Sequence, residues 1–142
     1  MFSYPMAFET EVNTSHGTRA VWQAKSAGRD LNVSIPPEFA GPGGAFSPED
    51  LYAQALTNCF LATFKVLAEN SKVTFEHISV KGKLLVDLSE QKKPCMHSCH
   101  LRIGIKAPSD EGKAKRLIDK AMQSGFILNS VKTTISHEIH FS

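Results

Sequence analysis

The sequence contains little cysteine, no long apolar run and little net charge. Only three of its 142 residues are cysteines, and this odd, small number favours a reducing compartment over a secreted disulfide framework. No apolar stretch reaches the ~18 residues that a membrane-spanning helix needs. The net charge of +2 is too small to indicate nucleic-acid binding, since no run of lysine or arginine accompanies it.

The first residues also lack the features of a signal peptide, because they include neither a basic segment nor an apolar one. We therefore expect a cytoplasmic protein with no membrane partner and no nucleic-acid partner. Hydrophobic residues at 42% and charged residues at 21% are ordinary for a globular protein, and a chain of this length buries a core without disulfides. The absence of repeats and linkers predicts a single domain over residues 1–142.

The first third of the chain is predicted to form strands and a loop. Apolar and polar side chains alternate within residues 6–35, and turn signals interrupt them at 15–17 and 28–30. Proline and glycine are frequent in 36–46, which predicts a loop there.

A long helix is predicted to begin after Ser47. This serine is a good N-cap, Pro48 suits the first helical position, and Glu49 and Asp50 favour the positive end of the helix dipole. From residue 51 to residue 67 apolar side chains occur almost all round the helix, which predicts burial on every side. A single domain of this size has little room to surround such a helix, so a second subunit is expected to cover the rest.

The second half of the chain is predicted to contain three more strands and one more helix. Apolar and polar residues alternate in 75–88, 99–107 and 131–141, which is typical of half-buried strands. An amphipathic helix is predicted over 110–124. The order of strands, long helix, strands, helix and strand indicates an α+β fold in which helices cover a sheet.

Cys59 lies deep in the apolar part of the long helix, and two interpretations of it are open. A free cysteine in such a helix is commonly a small buried hydrophobe. A reactive thiolate would need a nearby cation, since Cys59 is about three turns beyond Ser47 and the helix dipole fades within the first turn. Arg29 is one candidate for this cation, although composition also allows Lys25 or Lys65.

The segment Gly28-Arg29-Asp30 and the stretch 43-GGAFSPEDLYAQALTNCF-60 resemble the OsmC/Ohr family, the osmotically inducible and organic hydroperoxide resistance proteins. These are thiol-dependent peroxidases that reduce organic hydroperoxides. Their signature has a Gly-Arg-Asp turn, a Gly-rich loop, a Pro-Glu helix start and a cysteine ten residues after the glutamate, a spacing that Glu49 and Cys59 keep. The resemblance implies an OsmC-like fold of antiparallel sheets packed on a long buried central helix, in an intertwined homodimer.

The resemblance also implies roles for three residues. Cys59 corresponds to the peroxidatic cysteine, Arg29 to the arginine that keeps it charged, and Glu49 to the carboxylate that orients the arginine. No cofactor and no metal is expected. Because Glu49 lies about 15 Å from Cys59 along one helix, we expect Glu49 to serve the site of a partner subunit, whose long helix runs antiparallel.

The family's second cysteine is missing from this chain. Gly125 stands where that cysteine would be, and Phe126 replaces the proline that follows it. Gly125 is expected to end the preceding helix in a left-handed conformation, with Phe126 packing back on the last turn. An external thiol would then resolve Cys59, unless Cys95 or Cys99 has taken over or the peroxidase activity is lost.

Cys95, His97 and Cys99 form a second unusual group, within the segment 94-PCMHSCHLRI-103. If the strand extends back through them, all three fall on one face, which is a weak indication of zinc binding. A disulfide between the cysteines is not expected in an extended strand, where their Cα atoms would be ~13 Å apart. The simpler interpretation is that Cys99 fills the core, while Cys95 and His97 lie at the edge of a loop.

The leading prediction is therefore a thiol-dependent peroxidase that uses Cys59, an organic hydroperoxide and an external thiol reductant. One alternative is a non-catalytic OsmC-like protein that binds a small apolar or thiol-reactive ligand at the dimer interface. Another is a metal-binding protein that uses the Cys95–His100 cluster.

Overall fold

The computed structural model describes residues 2–142. In chain order, its helices and strands are β1 (Thr10–Asn13), β2 (Trp22–Ser26), β3 (Arg29–Val33), α1 (Pro48–Asn70), β4 (His77–Leu88), β5 (Pro94–Lys106), α2 (Glu111–Ser124) and β6 (Thr134–Phe141). This content confirms the α+β class. Among the described residues, no helix is both long enough and apolar enough to cross a membrane. The chain forms two compact units, residues 2–51 and Tyr52–Ser142.

The first unit contains an antiparallel sheet in the order β1-β2-β3. The β2–β3 hairpin pairs Ser26 with Arg29, so Ala27 and Gly28 form its turn. Both turn residues have positive φ, which is the geometry of a two-residue type I′ turn. Arg29 is therefore the first residue of β3 and is exposed, whereas the sequence had placed it inside the turn.

Helix α1 begins as the sequence predicted, at Pro48 after the cap Ser47. The backbone N–H of Asp50 donates to Ser47 Oγ at 3.0 Å, and the N–H of Ser47 donates back to Asp50 Oδ2 at 2.9 Å. This reciprocal capping box satisfies amide groups that the first helical turn leaves free, and such caps typically stabilise a helix by ~1 kcal/mol.

The second unit contains a sheet in the order β4-β5-β6. Strands β4 and β5 are antiparallel, but β5 and β6 are parallel. The expected antiparallel pairing is therefore confirmed except for β6, which pairs in parallel because α2 lies between β5 and β6 in the chain, and a helical crossover of this kind returns the chain in the same direction.

One hydrophobic core lies in the second unit. Its fully buried members come from one stripe of α1, from the inner face of β5 and from α2: Leu56, Phe60, Phe64, Cys99, Leu101, Ile103, Ile105, Ala114, Ile118 and Ala121. A β-carbon on Gly82 would lie 2.5 Å from Thr57 Oγ1, so this glycine in β4 allows α1 to lie close to the sheet. Val66, elsewhere on α1, is 59% exposed, so the helix is not buried on every side within this chain. Cover by a second subunit stays a prediction.

Candidate active site around Cys59

Cys59 is half-buried and packs against the core of the second unit. It lies next to Phe60 and one turn after Leu56, both of which are fully buried on α1. The hydroxyl of Thr63 donates to the Cys59 carbonyl at 2.7 Å, inside the helix. The thiol is thus held on a rigid element at the border of the core, where an apolar reagent has partial access to it.

Gly125 contacts the sulfur of Cys59. A β-carbon on residue 125 would lie 2.9 Å from Cys59 Sγ and 3.0 Å from a methyl carbon of Leu128. The glycine is buried and follows the last residue of α2, and its N–H donates to the Ala121 carbonyl at 3.1 Å. The end of α2 and the middle of α1 therefore meet at this point, which brings residue 125, where the resemblance predicts a second cysteine, directly against Cys59.

The backbone of Gly125 does not itself require glycine. Its φ of −63° and ψ of 131° are open to any residue, so the expected left-handed conformation is wrong. Glycine is needed because Cys59 and Leu128 leave no room for a side chain. Phe126 does not pack back on the helix as expected, since 74% of it is exposed.

Arg29 and Glu49, the other two predicted site residues, belong to the first unit. Arg29 is exposed at the start of β3. Glu49 lies in the first turn of α1, and its Oε1 atom is buried without a hydrogen-bond partner among residues 2–142. A buried carboxylate oxygen without a hydrogen-bond partner destabilises the folded state, so we expect Glu49 Oε1 to accept a hydrogen bond from a donor outside this chain's described contacts. A joint site of Arg29, Glu49 and Cys59 stays a prediction.

The Cys95–Cys99 segment is a strand and not a loop, because β5 begins at Pro94. A register shift at His97 interrupts the alternation, so that His97 is exposed while Cys99 is fully buried. The expectation that Cys95, His97 and Cys99 share one face is therefore wrong. Within the described residues, no group of three or more His, Cys, Asp or Glu side chains is placed to hold a metal ion, so the geometry gives the metal-binding alternative no support.

All three cysteines are free, and they differ in burial. Cys99 is fully buried, and this burial raises the pKa of its thiol because the charged thiolate loses its hydration. The interpretation of Cys99 as a core residue is confirmed. Cys95 and Cys59 are both half-buried.

A partly buried hydrogen-bonded network that the sequence did not reveal begins at Tyr52, seven residues before Cys59 and on the same side of α1. The Tyr52 hydroxyl lies 2.6 Å from Thr133 Oγ1, which donates to the Met96 carbonyl at 2.7 Å. Since Thr133 uses its proton on Met96, Tyr52 is the donor to Thr133. These two hydrogen bonds connect Tyr52 of α1 to β5 and to the segment before β6.

A second polar contact joins β6 to α2. His137 Nε2 lies 3.1 Å from Asp119 Oδ1, and Lys115 Nζ lies 2.9 Å from Asp119 Oδ2. The hydrogen bond from Lys115 is the main cause that lowers the pKa of Asp119, with His137 acting in the same direction. His137 lies on the half-buried face of β6, in keeping with the alternation predicted for residues 131–141, but no local signal indicated Asp119 as its partner.

The outer face of the same sheet carries an exposed polar network. His100 Nδ1 lies 2.8 Å from Ser136 Oγ, and His100 Nε2 lies 3.0 Å from Glu138 Oε1. His140 contacts the other oxygen of Glu138 at 2.7 Å. Hydrogen bonds from His100, and then from His140, lower the pKa of the Glu138 carboxyl. These residues cross-link β5 and β6 on the face opposite the core.

Comparison with known proteins points to one family. A family model described as OsmC-like protein matches residues 41–140. An uncharacterized protein of Acinetobacter baylyi is 29% identical over 94 residues, which span 65% of this chain and 63% of that protein's length. An OsmC-like protein of unknown function from Vibrio cholerae has a similar structure, with a TM-score of 0.85 at 17% identity over 95% of this chain and 99% of that chain. The organic hydroperoxide resistance protein OsmC of Legionella pneumophila has a TM-score of 0.71 at 19% identity, over 99% of each chain.

Proposed function

Because the chain belongs to the OsmC-like protein family, we propose that it is a thiol-dependent peroxidase that reduces organic hydroperoxides through Cys59. The contact between Cys59 and Gly125 carries this proposal. Residue 125, where the family resemblance predicts a second cysteine, lies against the proposed nucleophile, and a two-cysteine peroxidase would require such a contact. The half-buried, core-bordering position of the thiol suits an apolar peroxide, and the name of the Legionella neighbour points in the same direction.

In the first chemical step, the Cys59 thiolate attacks one oxygen of the hydroperoxide. A sulfur–oxygen bond forms and the O–O bond breaks, which leaves Cys59 as a sulfenic acid and releases an alkoxide that takes up a proton to become an alcohol. Arg29 holds the thiolate charged and stabilises the negative charge that develops on the peroxide oxygens. Glu49 orients the guanidinium of Arg29 by accepting a charge-assisted hydrogen bond from it. The guanidinium N–H is then the donor that Glu49 Oε1 lacks.

In the second step, a thiol from outside the chain resolves the sulfenic acid. Its sulfur bonds to Cys59 and water leaves, which gives a mixed disulfide. A second thiol then attacks this disulfide, releases the oxidised reductant and restores Cys59. An external reductant is needed at this step because Gly125 offers no sulfur beside Cys59.

A homodimer is part of the proposal. Phe8 is 91% exposed and Val12, in β1, is 65% exposed, while Val66 leaves part of α1 uncovered. In the proposed dimer, a second chain covers these exposed apolar side chains. Glu49 then pairs with the arginine at the site of the other subunit. Sedimentation at micromolar concentration is expected to show a dimer, and a monomer would contradict this part.

Turnover of cumene hydroperoxide with dithiothreitol tests the activity. The Cys59→Ser variant is expected to lose consumption of the peroxide, and the matched variant Cys95→Ser is expected to keep it, because both cysteines are half-buried but only Cys59 contacts Gly125. Equal rates for the wild type and Cys59→Ser would end the peroxidase proposal. Loss of activity in Cys95→Ser alone would instead make Cys95 the working thiol.

A second candidate function is binding without turnover. The absence of a second thiol at residue 125 favours it, since the usual two-cysteine cycle cannot run. In that case a small apolar or thiol-reactive ligand binds at the Cys59 site. A wild-type protein that consumes no peroxide but forms a covalent adduct with an apolar electrophile at Cys59 would support this candidate.

The cytoplasm is the proposed location. Cys59, Cys95 and Cys99 are all free, and free thiols persist in a reducing compartment. Fractionation of cells that carry the tagged protein checks this, and recovery from an oxidising compartment would contradict it.

A further inference from the structure

The hairpin of β4 and β5 carries an excess of positive charge. Residues 79–102 contain five basic and two acidic side chains, a net charge of +3, whereas the whole chain carries a net charge of +2. The positive charge of the protein is therefore concentrated on this one hairpin. We call its five basic residues, all of them exposed, the basic cluster: Lys81, Lys83, Lys92, Lys93 and Arg102.

Three members of the basic cluster lie on the outer face of the second sheet, opposite the core. They are Lys81 and Lys83 of β4 and Arg102 of β5. The strand register places Lys81 directly opposite Arg102, and like charges in this position destabilise a strand pair, so a bound anion would relieve the repulsion. Glu138, the acidic residue of β6 on this face, already lies within hydrogen-bond distance of two histidines.

The carboxylates of the chain leave the basic cluster unpaired. Within residues 2–142, the lysines that form ion pairs are Lys25, Lys106 and Lys115, and no member of the basic cluster forms one. The two acidic residues of the hairpin, Asp87 and Glu90, are exposed and outnumbered. The surface is thus free to attract an anionic partner.

The closed end of the hairpin projects beyond the third strand and exposes apolar side chains. Since β6 pairs with β5 only from Ser98 onward, the preceding part of the hairpin is a two-stranded ribbon. Within this ribbon Leu85 is 47% exposed and Leu88 is 53% exposed. The turn that closes the ribbon is ordered, because the Ser89 N–H donates to the Lys93 carbonyl at 2.8 Å. Exposed leucines and lysines therefore occur together at a fixed end of the sheet.

Lysines beside exposed leucines match the surface of a bilayer that has anionic headgroups. The negative potential of such a surface attracts the cations, and leucines that enter the headgroup region lose apolar surface to water. A nucleic acid fits less well, because residues 79–102 contain no Phe, Tyr or Trp on which a base could stack. The expectation of no membrane partner was based on the absence of a spanning segment, and attachment to a membrane surface requires none.

We propose that the β4–β5 hairpin is a docking surface for anionic phospholipid membranes. The basic cluster contacts the headgroups, while Leu85 and Leu88 enter the interfacial region. The attachment is peripheral and reversible, at the cytoplasmic leaflet, and it does not depend on Cys59 or on the proposed peroxidase activity.

Sedimentation of the full-length protein with lipid vesicles tests this proposal. One set of vesicles contains phosphatidylcholine with about one third phosphatidylglycerol, and the other contains phosphatidylcholine alone. At low ionic strength we expect the protein to sediment with the mixed vesicles only, and we expect added salt to weaken the binding by screening. Equal binding to both sets, or binding to neither, would overturn the proposal.

Charge reversal at the outer face provides the decisive variant. Lys81→Glu/Lys83→Glu is expected to lower binding to the mixed vesicles about tenfold or more, and the fold is kept because the new carboxylate at residue 81 lies opposite Arg102. The matched control is Arg116→Glu/Lys120→Glu, which changes the net charge equally at two exposed residues of α2, on the core side of the sheet. An equal loss in both double variants would overturn the proposal, since binding would then depend on net charge alone.

The remaining measurements test the leucines and the other possible partners. Leu85→Ala/Leu88→Ala is expected to weaken binding to the mixed vesicles about fivefold at the same net charge, and unchanged binding would contradict their entry into the bilayer. Tighter binding of the wild type to a short DNA duplex than to the mixed vesicles would overturn the proposal in favour of a nucleic acid. A changed oligomeric state of Lys81→Glu/Lys83→Glu without vesicles would also overturn it, because the hairpin would then be a contact between two chains.

Discussion

A β-carbon on residue 125 would lie 2.9 Å from the sulfur of Cys59. The two residues are distant in the chain, and the contact between them exists only because Gly125 has no side chain. In a disulfide, the β-carbon of one cysteine lies about 3 Å from the other sulfur, given an S–S bond of about 2.05 Å. Position 125 thus has the separation of a disulfide partner of Cys59 although it carries no thiol.

Gly125→Cys is expected to form a disulfide with Cys59 on mild oxidation. The backbone at residue 125 accepts a cysteine, with φ of −63° and ψ of 131°, and bond formation turns a steric overlap into a covalent contact. Peptide mass spectrometry without reductant checks this by the loss of two hydrogen atoms in a cross-linked pair. The matched variant Gly125→Ser has nearly the same size and cannot form the bond, so it is expected to lose stability. Two free thiols in oxidised Gly125→Cys would contradict the geometry.

Iodoacetamide is expected to modify Cys59 and Cys95 in the folded protein and to leave Cys99 unmodified. Cys99 is fully buried, and burial raises the pKa of its thiol. In urea all three cysteines are expected to react, which serves as the internal control. If Cys99 in the folded protein reacts as fast as Cys95, the Cys99 side chain is not fully buried and the assignment is wrong.

Alkaline pH is expected to lower the free energy of unfolding because of Cys99. The raised pKa of Cys99 means that the folded state holds the proton more tightly than the unfolded state. Its contribution to stability is therefore complete below the ordinary thiol pKa and decreases as pH rises through the raised value. Urea unfolding of the wild type and of Cys99→Ala, from neutral to alkaline pH, is expected to show a steeper decline for the wild type. If the stability of the wild type and of Cys99→Ala falls equally as pH rises, Cys99 does not cause the decline.

Asp119→Asn is expected to lower stability slightly at neutral pH and to have no effect in acid. The lowered pKa of Asp119 stabilises the fold above the ordinary aspartate pKa, and this contribution is lost as pH falls through the lowered value. Since the side chain is 39% exposed, the loss is limited to about 0.2–1 kcal/mol. Urea unfolding at pH 7 and at an acidic pH below the lowered pKa of Asp119 measures it. Glu90→Gln, on an exposed residue, is the control, and an Asp119→Asn deficit that persists in acid would contradict the assignment.

Phe64→Ala is expected to destabilise the protein by about 3–5 kcal/mol, while Phe126→Ala changes stability by less than about 0.5 kcal/mol. Phe64 is fully buried, and its ring centroid lies 6.0 Å from that of Phe60 and 5.7 Å from that of Phe75. Phe126 is mostly exposed, so its loss leaves no cavity. Urea unfolding of both variants measures the difference. A large loss in Phe126→Ala would mean that its ring packs against protein.

Local signals predicted the elements of the second unit well. Alternation assigned Leu101, Ile103 and Ile105 of β5 to the core, and all three are fully buried. The same rule failed at the end of β4, where Val86 and Leu88 are exposed. Pairing between β5 and β6 starts only at residue 98, so the ends of β4 and β5 extend beyond the third strand. A periodic pattern shows which face a side chain shares, but not whether anything covers that face.

The candidate site was predictable only in part. The spacing from Glu49 to Cys59 made Cys59 the candidate thiol, because the motif is contiguous in the chain, and its role stays a prediction. The conformation predicted for Gly125 was wrong because helix-ending signals are local, whereas the constraint on this residue is the distant sulfur of Cys59. The exposure of Phe126 could likewise not be predicted from the helix-ending signal.

The sequence by itself determined the strands, the capped start of α1 and the amphipathic α2, since capping and periodicity act between neighbours in the chain. Tertiary structure alone decided that residue 125 meets Cys59, that Tyr52 donates to Thr133 and that His137 meets Asp119. Each of these contacts joins elements far apart in sequence, and their separation in space depends on how helices pack on a sheet, which no local preference encodes.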